Sequence, residues 1–175
     1  MKHMRGILLL GSLCSVLWSQ QFKFNLDHLA GKASNVVDIS LNGPMLQFAA
    51  KFLDSKDADQ ATVKKLIAGL DGIYVKSFEF KNAGAWSPAD LDAVRTQLKT
   101  AEWMKMVGYT SAEDGETADV YLRMEDKKIN GVAILVSSTK EVTVVNIAGA
   151  VDLESLSTLG GSFGVPKLVP PPRKK

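Results

Sequence analysis

One cysteine, Cys14, and two histidines, His3 and His28, are all that 175 residues supply of the usual soft metal ligands and nucleophilic catalysts. A disulfide framework within one chain is excluded, and neither a thiolate zinc cage nor an iron–sulfur cluster can be assembled. No HExxH spacing occurs, so the reading includes no metal and no cofactor. Aromatics make up only 7% of the chain. No apolar run reaches the roughly 20 residues that an α-helix needs to cross a bilayer. The charged residues, 21 basic and 19 acidic, exclude neither a globular core nor a soluble surface, and the length suits one domain with one real core.

The basic excess is concentrated at the ends. Residues 1–19 open on Lys2, His3 and Arg5, continue through the apolar stretch Ile7 to Trp18 and contain no acid. That is the layout of a secretory signal peptide, with cleavage expected after Ser19. Contact with a membrane is then transient and made only through the leader. A rival reading makes Cys14 the lipid-modified residue of a lipoprotein. Setting Lys2 and Arg5 aside leaves as many basic as acidic residues, and Lys167, Arg173, Lys174 and Lys175 lie in a Pro-rich tail. The body, residues 20–166, is therefore mildly acidic. Nucleic acid is excluded as a partner on this ground, since non-specific affinity for it comes mainly from neutralised phosphates.

Within that body, Phe22 to Leu29 reads as a short helical lead-in and Asn35 to Leu41, rich in β-branched residues, as a strand. Asn42-Gly43-Pro44 opens a helix over Met45 to Leu53. A second helix carries Ala61, Val63, Leu66, Ile67 and Leu70 and stops at Asp71-Gly72. Gly72 to Phe80 is a strand. Ser87-Pro88-Ala89-Asp90 has the sequence of a helix start, and the helix is expected to carry Leu91, Val94 and Leu98 and to reach Trp103. Four short β-like runs follow, Met106–Ser111, Ala118–Met124, Ile129–Ser137 and Val142–Ala148, separated by turn residues. Asp152 to Leu159 reads as a closing helix, and residues 167–175 as a flexible basic tail. The expected fold is α+β: a largely antiparallel sheet with a C-terminal four-strand meander and helices packed on one face. Val132–Val136 and Val142–Val145 alternate little, so both are expected at the centre of the sheet.

Chemistry is sparse. His28 beside Asp27 reads as a surface helix residue. Asp54, Asp57 and Asp59 resemble a calcium loop only superficially, lacking its central Gly and terminal Glu; they read as acids at a helix N-terminus. Gly160 to Lys167 resembles a phosphate loop but follows a helix rather than a strand. Gly131 and Gly149 read as bulges or strand ends. No catalytic residue is assigned. An acid/base site could be assembled only from distant carboxylates such as Asp38, Glu79 and Asp119. The most conspicuous pattern is Tyr74, Lys76, Phe78 and Phe80 on one side of a strand, with Tyr121 and Arg123 on another. Lys76-Ser-Phe78-Glu-Phe80 partly matches an RNA-binding signature, but Ser77 and Glu79 replace its small residues. Two structural readings compete with a site here: Phe78 and Phe80 packing under helices, and the loop at Trp86 folding over the sheet. The binding reading takes Tyr74, Lys76, Phe78, Tyr121 and Arg123 as a patch for an envelope protein, a peptide or a glycan.

The segments Phe24 to Ala33, Met45 to Leu53, Leu70 to Phe80, Val144 to Gly149 and Asp152 to Gly161 together resemble an uncharacterised bacterial domain-of-unknown-function family of small exported α+β proteins. The resemblance runs from about Phe22 to Lys167 and implies export, often as a lipoprotein. Leu13 departs from that last pattern, where a small residue should precede the lipidated Cys. No catalytic residue comes with the resemblance. The expectation is an exported, periplasmic or secreted, non-enzymatic binding domain. Its alternatives are a small carboxylate-dependent hydrolase and a regulatory partner in envelope stress. Oligomeric state is left open.

Overall fold

The computed structural model describes residues 24–151. The leader, Cys14, the closing helix expected over Asp152–Leu159, the Gly160–Lys167 loop and the basic tail lie outside them.

Among the described residues four helices and six strands follow in the order α1 (Asp27–Ala30), β1 (Asn35–Asn42), α2 (Gly43–Ala50), α3 (Ala58–Ala68), β2 (Leu70–Glu79), α4 (Asp92–Gln97, entered through a 3-10 turn at Pro88–Leu91), β3 (Trp103–Ser111), β4 (Glu116–Glu125), β5 (Lys128–Ser138) and β6 (Glu141–Gly149). All strands pair antiparallel in one sheet of order β1-β2-β6-β5-β4-β3. The class is α+β as expected, β3 to β6 form the meander, and β5 and β6 sit at the centre.

Local chemistry explains the element starts. Asn42 caps α2 by accepting the Met45 N–H at 3.1 Å, with Pro44 in the first turn. Asp57 Oδ1 accepts the Gln60 N–H at 2.9 Å where α3 begins, and Asp54 Oδ1 accepts the Lys56 N–H at 2.9 Å. These acids are thus engaged as helix-start and turn acceptors. The β4–β5 hairpin turns on Asp126 and Lys127, both with positive φ, as a two-residue turn of primed type requires.

Three expectations are corrected. The helices lie on both faces of the sheet. Leu26 and Leu29 around α1, Leu91 of the 3-10 turn, and Val94 and Leu98 around α4 join Phe78, Phe80, Tyr121, Ala133, Leu135, Val142 and Val144 on one face. Leu46 and Ala50 of α2 and Ile67 of α3 join Leu70, Val120, Leu122, Val132 and Ile134 on the other. Strands at the centre of a sheet covered on both sides must be apolar at odd and even positions alike. The weak alternation of Val132–Val136 already carried that signal. Helix α4 stops at Gln97 and β3 begins at Trp103, so the chain from Trp103 to Lys105 is strand. Likewise Leu70 opens β2 and does not end the stripe of α3.

Candidate functional site

The pairing register lays side chains of one face in rows across the sheet. One row runs Ser40, Tyr74, Asn146, Ala133, Tyr121, Lys105; the next runs Asp38, Lys76, Val144, Leu135, Asp119, Gly108. Alternation along each strand sets Tyr74, Lys76 and Phe78 together and Tyr121 with Arg123, and the register brings the two sets to the same face. They do not form a patch. Strands β2 and β4 are three strand spacings apart, about 14 Å, and helices cover the middle. Phe78 is 1% exposed and Tyr121 7%, both within the cluster beneath α1 and α4. An open aromatic face through these two residues is thus excluded. Packing under helices is what the structure displays for Phe78 and Phe80. Trp86 also folds inward: it packs on this cluster and donates its indole N–H to the Ser138 carbonyl at 3.1 Å.

The polar members are tied down. Lys76 Nζ lies 2.6 Å from Asp27 Oδ1 and 3.4 Å from Asp38 Oδ2, so it joins α1, β1 and β2. The hydrogen bond to Asp27 holds its ammonium above the usual lysine pKa, against partial burial. Lys105 Nζ bonds Asp119 Oδ1 at 2.7 Å and lies 5.9 Å from the centre of the Tyr121 ring. Its pKa is raised in the same way, chiefly by Asp119. Arg123 donates to the Asn130 carbonyl at 3.2 Å. Tyr74 is half-buried, and its ring lies over Gly72, where a Cβ would meet the Tyr74 hydroxyl oxygen at 2.6 Å. Gly72 therefore makes room for an aromatic ring besides following α3.

The carboxylates proposed for acid/base work do not converge. Asp38 and Asp119 stand in one row four strand spacings apart, about 19 Å, where paired glycosidase carboxyls are at most about 9.5 Å apart. Glu79 points to the other face, opposite Asn35. Among the described residues no group of three His, Cys, Asp or Glu side chains is placed to hold a metal ion.

One arrangement superficially resembles a catalytic triad. His28 Nε2 lies 3.2 Å from Asp90 Oδ1, and Asp90 Oδ2 accepts from the Ser87 N–H at 2.7 Å and the Ser87 hydroxyl at 3.1 Å. In a triad the imidazole stands between the hydroxyl and the carboxylate, so that it can take the proton of the nucleophile. Here the carboxylate stands in the middle. Asp90 is the acid of the capping sequence seen at Ser87-Pro88-Ala89-Asp90, and the pair with His28 fastens α1 to that turn. The Ser87 N–H, aided by the Ser87 hydroxyl and the charges of Lys32 and His28, outweighs burial and holds the carboxyl below its ordinary pKa of 3.8. Stability from this group is therefore fully present above about pH 4 and fades as the pH falls through the lowered value. Replacing Asp90 by Ala should cost about 1 kcal/mol in urea unfolding at neutral pH, and the difference from the native chain should shrink at pH 3.

What the sequence reading missed is an exposed apolar strip on the opposite face. Phe48 and Phe52 on and just after α2 are 62% and 73% exposed, with ring centres 5.1 Å apart in an edge-to-face pair. Met45 on the same helix is exposed, as are Val37 and Ile39 on β1, a strand at the open edge of the sheet; Val36 is exposed too, but on the face of Phe78. A continuous apolar stripe on a helix reads as core when only the sequence is seen. The missed signal was its width: Met45, Leu46, Phe48 and Ala49 encircle more of α2 than one buried face can take, and Phe52 and Leu53 follow it directly.

No curated protein and no solved structure gives a significant match to the chain. A family described as a domain of unknown function, DUF4252, matches residues 27–159. That span contains every helix and strand described above and all of both core clusters except Leu26, and on it the chain belongs to the DUF4252 family.

Proposed function

We propose that this chain is an exported bacterial, non-enzymatic interaction domain that binds a partner through the apolar strip formed by β1 and α2. The observation that carries the reading is the exposure of Phe48 and Phe52 beside an open strand. Scattered surface apolar residues are ordinary, but an aromatic pair next to an apolar edge strand concentrates the features of a docking surface. The engagement of His28, Lys76, Asp90, Lys105 and Asp119 in structural ion pairs and caps also favours it. Export is supported by the leader layout of residues 1–19, and it directs the search for partners to the envelope and the medium.

The test is recovery of the protein from its own cells, comparing the native chain with a Phe48→Asp, Phe52→Asp variant. The native chain should start at Gln20 by mass spectrometry of its N-terminus. It should also retain a stoichiometric companion, another copy or another molecule, that the variant loses while keeping its circular dichroism. A retained Met1 would overturn export. Identical companions for both chains would overturn the docking surface.

A further inference from the structure

We infer that the partner on this strip is a second copy of the same chain, joined edge to edge through β1 about a two-fold axis. The inference rests on the interaction reading above and names its occupant. Edge strands that stay unpaired are usually blunted by proline, lysine, a bulge or inward charge. The opposite edge, β3, has such devices: Lys105, Gly108 and a register shift between Lys105 and Val107. Strand β1 has none over Asn35–Asn42. Its single charge, Asp38, is held within its own chain by Lys76 at 3.4 Å.

The sequence of β1 selects one self-pairing. Side chains keep their faces only if residues of like parity oppose each other. Centring the axis on Asp38 would set two carboxylates opposite each other, which is unfavourable. Centring it on Val37 would set Asn35 against Ile39. Centring it on Ile39 sets Ile39 on Ile39 of the other copy, Val37 on Leu41, Val36 on Asn42 and Asp38 on Ser40. Apolar residues then meet on the face that carries α2, and polar groups meet each acid on the other. The interface is isologous, as a closed dimer requires.

Helix α2 extends the same seam. Leu46 and Ala50 point to the core, and Gln47, about 80° to one side at 3.6 residues per turn, donates to the Ile67 carbonyl of α3 at 3.5 Å. Met45 and Phe52 lie on the other flank, away from α3, and Phe48 points opposite the core. That flank is the side of β1, where Val37 and Ile39 stay exposed. An axis perpendicular to the sheet brings the two α2 helices to the same side of the joined sheet, with their aromatic flanks turned toward the seam.

Sedimentation velocity of the full chain across about 1–100 µM, the range for a micromolar association, tests this directly. The native chain should dimerise, and Ile39→Lys and Met45→Asp should each weaken the dimer at least about tenfold, the first by setting like charges directly opposite each other and the second by charging the flank turned toward the seam. Their circular dichroism should match the native chain, since both positions are exposed. In a Cys14→Ser background, Ile39→Cys should form an interchain disulfide on oxidation, because directly opposed residues have Cα atoms about 4.5–5.5 Å apart. Tyr109→Cys on β3 should not. A monomer throughout, with Ile39→Cys no more reactive between chains than Tyr109→Cys, overturns the second copy. If a companion other than this chain is then lost from the double phenylalanine variant, the docking surface stands with a different occupant. If none is lost, both readings fall together.

Discussion

Phe78→Ala is expected to lower stability by about 3–5 kcal/mol, the cost of deleting a large buried aromatic and leaving a cavity behind. The ring is 1% exposed and sits in one cluster with Leu26, Leu29, Leu91, Val94 and Leu98. Strand neighbours Val36 and Val142 stand directly opposite it on β1 and β6. Because α1 and α4 are short, neither can collapse far into the void without losing its other contacts. Such a loss is a large share of the roughly 5–15 kcal/mol that holds an ordinary domain together. Urea unfolding at neutral pH measures it. A change below about 0.5 kcal/mol, typical of a surface substitution, would place Phe78 back on an open binding face.

Gly149→Ala should cost about 3 kcal/mol, combining an unfavourable backbone conformation with overpacking. Gly149 ends β6 with φ of 109°, where side chains are strained. A Cβ there would meet Asp71 N at 2.6 Å, Gly69 O at 2.7 Å and Leu70 Cα at 2.8 Å. All three are backbone atoms, so no rotamer change relieves the contact. This is also where β2 shifts register between Leu70 and Gly72 and where Ala150 donates to Gly69 O at 2.9 Å. Gly31→Ala is the control. Gly31 has φ of −68°, and nothing lies within 4 Å of its Cβ position. Alanine there should be neutral or stabilising by up to about 1 kcal/mol. Thermal unfolding of the pair separates steric exclusion from a general loss of glycine flexibility: equal effects at both sites would remove the structural account of Gly149.

The contrast between these two glycines bears on how far the sequence could be read. Gly149 was legible as a strand end or bulge, because glycine inside a β-like run signals an irregularity. The atoms that exclude a side chain there belong to the α3–β2 junction, some 80 residues earlier in the chain. The candidate site divides in the same way. Tyr74, Lys76 and Phe78 had to share a face, since strand side chains alternate. Whether that face was open depended on Leu26, Leu29, Val94 and Leu98, which nothing local ties to β2. The three carboxylates Asp38, Glu79 and Asp119 were individually visible, but their separation needed the strand order. The strip on α2 was hidden for the converse reason: Phe48 and Phe52 are apolar, and burial is the ordinary expectation for such residues.

By itself the sequence determined the helix starts at Asn42-Gly43-Pro44, at the acids before α3 and at Ser87, the turn at Asp126-Lys-Lys128, the antiparallel meander and the central place of β5 and β6. Each depends on hydrogen bonds or alternation within a few residues, so its physics is complete in a short window. Tertiary structure alone decided that β2 pairs with β6, that helices cover both faces, that Phe78 is sealed and that β1 is left at an edge. Those outcomes come from pairings such as the Ser77–Thr143 side-chain bond at 2.8 Å. Non-directional apolar burial sets which distant surfaces meet, and no short stretch of chain encodes its partner.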